Sequence, residues 1–361
     1  RSGPRLLFDR IGIAAGEDGA PALELARTEL ALNLYAAFQK NRAWNEFRLV
    51  GLKLGLSRDE SGVWSLSGDA GLSRAAGGGS MGALGAVVLA DLDLSIEDSS
   101  HQVNLKLHVP ELRVVNLGNI TRVLGQLEPG LNPHASPPLS LVADIDMAQR
   151  SGQLYAGGRQ VDLAGLGANQ AMDGIAIRSG TGSLELWASW EAGRVQALTS
   201  RMELGNVVLQ GRQALAVDAA TQVEPQAAFD RLRTSARWQR KAKGWSLDLA
   251  DTTFAQQGLQ GSPARASVEF LDGRASAQVD ALELGPLASL AMLSGRVPEK
   301  ARRWLYLASP RGKVRNVDLR WNGFEDFSVD AGLDGLSMRS VDGIPGVDPL
   351  SGELHGDSEA L

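Results

Sequence analysis

The chain has 361 residues, with 36 basic and 42 acidic side chains for a formal charge of −6, and no cysteine. That balance argues against a nucleic-acid binder, and the lack of Cys excludes a disulfide framework, a thiol nucleophile and any thiolate metal site. With 42 Gly and 14 Pro but only 8 Trp, 3 Tyr and 8 Phe, the composition suits many short strands and turns rather than a long helical bundle, and the length allows two or three units or one extended repetitive structure.

The chain opens at Arg1 and runs into Arg5-Leu6-Leu7-Phe8-Asp9 with no signal-peptide pattern. Both ends are expected to be cuts in a longer polypeptide. A short helix is predicted over Tyr35–Arg42. Leu52, Leu54 and Leu56 then alternate with Lys53, Gly55 and Ser57, a turn follows at Asp59-Glu60-Ser61-Gly62, and Val63-Trp64-Ser65-Leu66 returns, which predicts a hairpin. The glycine-rich stretch Ala75–Ala90 reads as a connector and not a membrane span.

Alternation resumes at Leu92/Leu94/Ile96 and Val103/Leu105/Leu107/Val109. The spacing of Val115, Leu117, Ile120, Val123, Leu124 and Leu127 predicts a helix within Leu112–Leu127, ended by Pro129 and the prolines at 133, 137 and 138. Strands return with Leu139/Leu141/Ala143/Ile145/Met147. Leu232, Thr234, Ala236 and Trp238 form one face of a later strand, opposite Arg231, Arg233 and Arg237, before a turn into Trp245, Leu247 and Leu249. Ser189–Gly205 aligns without a gap on Glu269–Gly285, sharing Gly193/Gly273, Arg194/Arg274 and Glu203-Leu204-Gly205/Glu283-Leu284-Gly285. Each copy reads as strand, Gly-Arg turn, strand and a glycine stop, a repeating unit that stacks on its neighbour. Pro286–Ala308 reads as two short amphipathic helices broken at Gly295 and Pro298. The runs Val317/Leu319/Trp321 and Phe327/Val329/Ala331/Leu333 close the chain.

The expected fold is therefore mainly β: a long curved antiparallel sheet forming a repeating groove, with a few short amphipathic helices. It is organised as a first β segment (1–110), a helix and Pro-rich connector (111–138), a central β segment (139–284), a helical insertion (285–308) and a final β segment (309–361).

Catalytic patterns are not found. His101, His108, His134 and His355 form no ligand pair, Gly77–Gly79 lacks the Lys-Ser/Thr of a phosphate loop, no Gly-x-Ser-x-Gly elbow occurs, and the acidic pairs Asp59-Glu60, Glu97-Asp98 and Glu325-Asp326 fall at turn positions. The cluster Arg231, Arg233, Arg237, Arg240, Lys241 and Lys243 reads as a solvated face that discourages edge pairing, with anionic headgroups as the alternative. No enzyme, cofactor or metal is expected. One-sided strands need a cover on their apolar face. Periodicity leaves open whether that cover is a second sheet or an apolar ligand.

Leu49-Val50-Gly51-Leu52-Lys53-Leu54-Gly55-Leu56-Ser57-Arg58, continued by Gly62-Val63-Trp64-Ser65-Leu66, resembles a hairpin of AsmA-like bacterial envelope proteins. Ala281–Leu287, Ala308–Val314, Val317–Trp321 and Ile344-Pro345-Gly346 with Leu350-Ser351-Gly352 resemble the YhdP-type branch of that family. The resemblance implies a periplasmic protein held in the inner membrane by an N-terminal helix missing from this chain. Its groove would carry phospholipids toward the outer membrane without catalysis. Candidate groove-floor residues are Leu52, Leu54, Leu56, Trp64, Leu66, Val317, Leu319, Trp321, Phe327 and Val329. The competing expectation is a β-rich envelope scaffold or adhesion protein without lipid cargo.

Overall fold

The computed structural model describes residues 5–14, 21–32, 45–58, 64–68, 86–98, 103–129, 137–167, 171–172, 175–211, 213–217, 220–256, 258–261, 264–295, 297–322 and 326–358. It is mainly β, as the alternation requires. The chain divides into two compact units, residues 1–161 with 187–194, and residues 162–186 with 195–361. The predicted helix at Tyr35–Arg42 lies outside the described residues, as do the turn after Arg58 and Gly77–Gly79.

In the first unit β1 (Arg5–Ala14), β2 (Pro21–Leu32) and β3 (Asn45–Val50) are consecutive antiparallel neighbours. After a break at Gly51-Leu52, β4 (Lys53–Arg58) forms the expected hairpin with β5 (Trp64–Gly68), Leu56 facing Leu66. β3 and β4 run parallel to successive halves of β6 (Ala86–Asp98), with Leu49 beside Leu89 and Leu54 beside Leu94. The break is tied to β6 as well: Gly51 N–H donates to the Ala90 carbonyl at 3.0 Å and Asp93 N–H to the Leu52 carbonyl at 2.9 Å. The sheet is thus mixed where only antiparallel pairing was expected. β5 takes one edge of β4, and the chain from residue 69 to 85 is long enough for a crossover to a parallel neighbour. β7 (Val103–Leu117), β8 (Ile120–Pro129), β9 (Leu139–Asp146) and β10 (Ser151–Asp162) complete the unit as an antiparallel meander.

The helix expected over Leu112–Leu127 is instead the β7–β8 hairpin, with Leu117 facing Ile120 across Gly118-Asn119. Gly118 has φ +74°, a conformation that a Gly-Asn hairpin turn supplies at little steric cost. The apolar residues belong to two period-two strands whose phases, joined through that turn, imitate helical spacing.

The second unit begins with α1 (Leu163–Gly167) and β11 (Ala171–Met172), followed by β12 (Ile175–Glu191) and β13 (Arg194–Gly211), whose tip at 187–194 belongs to the first unit. β14 (Leu215–Ala216) and β15 (Gln222–Val223) form a separate two-stranded ladder. β16 (Gln226–Lys241), β17 (Gly244–Gln256), β18 (Leu259–Gln260), β19 (Ala264–Leu271) and β20 (Arg274–Glu283) continue the sheet. The two predicted helices follow as α2 (Leu284–Leu293) and α3 (Glu299–Ala308), then β21 (Arg311–Trp321), β22 (Phe327–Met338) and β23 (Val347–Asp357). The main ladder runs β13–β16–β17–β19–β20–β21–β22–β23, every pairing antiparallel.

Both copies of the aligned segment are hairpins. Their turns, Ala192-Gly193 and Asp272-Gly273, have φ of 49° and 74° and of 52° and 82°, the double left-handed geometry of a tight hairpin turn. The expected glycine stop fails in the first copy, since β13 passes through Gly205 to Gly211, whereas β20 gives way to α2 before Gly285.

Several strands contain one polar residue in the left-handed region: Asp91 (φ 55°) in β6, Asn206 (52°) in β13, Asp251 (52°) in β17 and Asn316 (52°) in β21. Each stands where the apolar phase changes from odd to even or back. Val87 and Leu89 precede Asp91, Leu92 and Leu94 follow it, and all four join one cluster around Leu52 and Val109. Asx side chains tolerate this conformation. In β17 and β21 a register shift marks the residue as a bulge, and in β6 the two halves of the strand contribute to the same cluster.

Candidate functional site: a one-sided apolar sheet

Across the second unit the strand registers place Leu198, Trp238, Leu247, Val268, Ala277, Leu319 and Val329 directly opposite one another on successive strands. A second row runs Trp245, Phe270, Ala275, Trp321, Phe327, and a third Ala236, Leu249, Ala266, Val279, Val317. Alternation puts Asp248, Ser267, Gln278 and Asp318 on the other face, also in a row. One side of this sheet is oil and the other is water-facing, across seven strands from β13 to β22.

The oily side is only partly covered. Leu198, Phe270 and Trp321 are 37%, 39% and 43% exposed, and Leu319, Val317, Phe327 and Val329 are half-buried. Around Asn206 the picture changes: Leu204, Val207, Ala227 and Phe229 are buried. There α2 packs on β16, β20 and β21, with Leu293 against the backbone of Gly211. Among the described residues the only ladder outside the main sheet is the two-stranded β14–β15.

Aromatic rings concentrate at the hairpin-tip rim. Trp245 stacks on Phe270 with centroids 6.2 Å apart, and the Arg240 guanidinium lies 6.0 Å over the Trp238 ring while its Nε donates to the Val195 carbonyl at 2.9 Å. Arg240 therefore belongs to the oily face, whereas Arg231, Arg233 and Arg237 point to the wet one. Sequence grouped the basic residues by proximity in the chain. The strand phase separates them, and was the signal that could have done so.

Of the candidate floor residues, Val317, Leu319, Trp321, Phe327 and Val329 come together through the β21–β22 register, Leu319 facing Val329 and Trp321 facing Phe327. The others lie in the first unit. Leu52 is only 1% exposed, enclosed by Val87, Leu89, Leu92 and Val109, so it is packed core rather than ligand-facing floor. Leu54 packs partly buried on that cluster; the side chains of Leu56, Trp64 and Leu66 lie outside the described residues.

Among the described residues titratable groups pair across strands. His355 Nδ1 meets Asp330 Oδ1 at 2.6 Å and its Nε2 lies 3.5 Å from Glu353; the hydrogen bond to Asp330 raises its pKa above the ordinary imidazole value. Arg122 donates twice to Asp144, at 2.7 and 2.8 Å, which lowers the Asp144 pKa. His108 sits 3.3 Å from Asp93. Among the described residues no group of three His, Cys, Asp or Glu side chains could hold a metal, and no helix is long and apolar enough to cross a membrane.

These features define a class: a sheet protein that presents a broad oily surface with an aromatic rim, with no catalytic constellation among the described residues. The family model described as YhdP protein matches residues 1–361, and the chain belongs to that family. No curated protein and no solved structure matches it. Membership is consistent with the envelope lipid-transport role that the sequence resemblance implies.

Proposed function

We propose that this chain carries phospholipids between the inner and outer bacterial membranes, acyl chains lying on the oily face of the sheet, without catalysis. The setting is the periplasm, with the protein held in the inner membrane by an N-terminal helix outside this sequence. The supporting observation is the row from Leu198 to Val329, apolar on every strand and partly open to solvent. Seven strands spaced about 4.8 Å apart make it about 29 Å wide, against about 15 Å for one leaflet of a hydrocarbon core about 30 Å thick.

The energetics favour such a surface. Each methylene exposed to water costs about 0.8 kcal/mol, so a two-chain lipid with about thirty of them faces more than about 20 kcal/mol in free solution. A continuous apolar floor removes a large share of that barrier.

The chain contains no cysteine, so Leu319→Cys and Ser276→Cys can each carry one polarity-sensitive dye, on the oily and wet faces respectively. Phospholipid should shift the emission of the first to the blue and leave the second unchanged. Equal responses, together with lipid-free protein by mass spectrometry of solvent extracts, would refute the reading in favour of a scaffold without cargo.

A further inference from the structure

Arg302 on α3 is 5% exposed. Among the described residues Nη2 alone of its three guanidinium nitrogens has a partner, donating to Gln213 Oε1 at 3.1 Å, while Nε and Nη1 are buried with none. Among the described residues no carboxylate forms an ion pair with it. Arg48 makes the contrast: its Nη1 is likewise buried and unpartnered, but its charge is met by Glu111 at 3.1 Å. The neighbouring Arg303 is likewise matched, by Asp342 at 3.0 Å and the Val217 carbonyl at 2.9 Å.

A buried guanidinium without a counter-charge is strongly unfavourable. A trapped water would satisfy the N–H groups but leave the charge. Oxyanions satisfy both, and a planar multi-donor cation suits phosphate in particular. Gln213 is itself exposed, and its amide lies against the α2–α3 turn, where a Cβ on Gly295 would come within 3.3 Å of Nε2. Swinging that side chain outward releases Nη2, the guanidinium nitrogen it holds.

We propose that Arg302, gated by Gln213, is a binding site for a phosphate oxyanion, at the α2–α3 turn of the helical pair whose α2 covers the closed end of the oily face. The oxyanion is either a lipid headgroup or free phosphate; the headgroup form rests on the lipid-carrying function proposed above.

The test compares the full chain with Arg302→Met, titrated with inorganic phosphate, short-chain phosphatidylglycerol and diacylglycerol of the same chain length. The substitution should preserve or raise the melting midpoint, because an apolar chain replaces an unmatched buried charge. It should weaken phosphatidylglycerol binding about tenfold to a hundredfold and leave diacylglycerol binding unchanged, which identifies a headgroup. If inorganic phosphate binds as tightly as the lipid and is lost in the variant, the source is free phosphate. Unchanged binding of every probe overturns the site. Failure of both lipids on the wild-type chain refutes lipid carrying, while the phosphate arm still judges Arg302. Should Arg302→Met not fold, the Nε–H resonance of Arg302 in the unmutated protein, assigned by its loss in Arg302→Lys, must shift on phosphate titration; a static resonance overturns the proposal.

Discussion

Placing a carboxylate at Leu319 separates a lipid-carrying floor from a closed core. Leu319 is half-buried between Ala277 and Val329, so Leu319→Glu forfeits roughly half of the about 1.5–3 kcal/mol that full burial of a leucine is worth, about 0.8–1.5 kcal/mol. In a unit of this size that lowers the melting midpoint by about 2–6 °C. An acyl chain crossing the site would have to leave the charge hydrated. Lifting about four methylenes off the floor costs about 3 kcal/mol, which slows passage or weakens loading about a hundredfold. Transfer of a fluorescent phospholipid between two vesicle populations, alongside a thermal melt, reads both quantities. Ser276→Glu on the opposite face is the control and should change neither by much. The reasoning fails if Leu319→Glu unfolds the protein outright, which is the behaviour of a sealed core, or if Ser276→Glu slows transfer equally.

Three further outcomes follow from local geometry. Gly244→Ala puts a Cβ 1.7 Å from the Phe270 carbonyl oxygen and should break the β17–β19 pairing at a cost of several kcal/mol, whereas Gly118→Ala meets nothing within 4 Å and should cost only about 1–2 kcal/mol of left-handed strain; urea melts that rank the two equally would contradict this. At the β21 bulge Asn316→Gly should be within a few tenths of wild type and Asn316→Val should lose about 1–2 kcal/mol, measured the same way. His355, its pKa raised by the hydrogen bond to Asp330 and then by Glu353, binds its proton more tightly folded than unfolded. Its contribution is therefore fully present below the ordinary imidazole value and is lost as pH rises through the raised one. Amide exchange in β22–β23 should quicken over that window, and Asp330→Asn should return the His355 titration toward its ordinary value; an unmoved NMR titration would count against the pairing.

Much of this fold is readable without coordinates because one-sided strands advertise themselves. Leu232, Thr234, Ala236 and Trp238 needed only period two, and Pro298 with Gly295 was enough to divide α2 from α3. Failures came where the signal depends on partners. The β7–β8 hairpin imitated a helix because its turn is the two residues Gly118-Asn119, easily absorbed into a 3.6-residue period. The parallel β3–β6 contact has no local signature, since direction is decided by a crossover. Leu52 looked like floor because alternation says which side a residue faces and nothing about what lies above it; the packing of Val87, Leu92 and Val109 decides that. Arg302 was invisible for the converse reason, a charge placed where the sequence suggests solvent.

The distribution of side-chain size on the oily face argues for a ligand as its cover. Two sheets packed face to face interdigitate large side chains across about 10 Å, and protein interiors fill to crystal-like density. Here the central rows set Ala236, Ala266 and Ala277 among Leu249, Leu319, Val329 and one large ring, Trp238, while Trp245, Phe270 and Trp321 stand at the hairpin-tip rim. A second sheet would meet low ground along the alanines and a raised edge. Flexible chains a few ångströms thick fit that relief, filling the trough along the alanines while the rim supplies aromatic faces where oil meets water. The Asx bulge of β21 serves the same end. By shifting the strand phase at Asn316, the β21 bulge lets the oily side continue beyond a bend to the stretch that α2 covers, so the face is open over one part of the strand and closed by protein over the other.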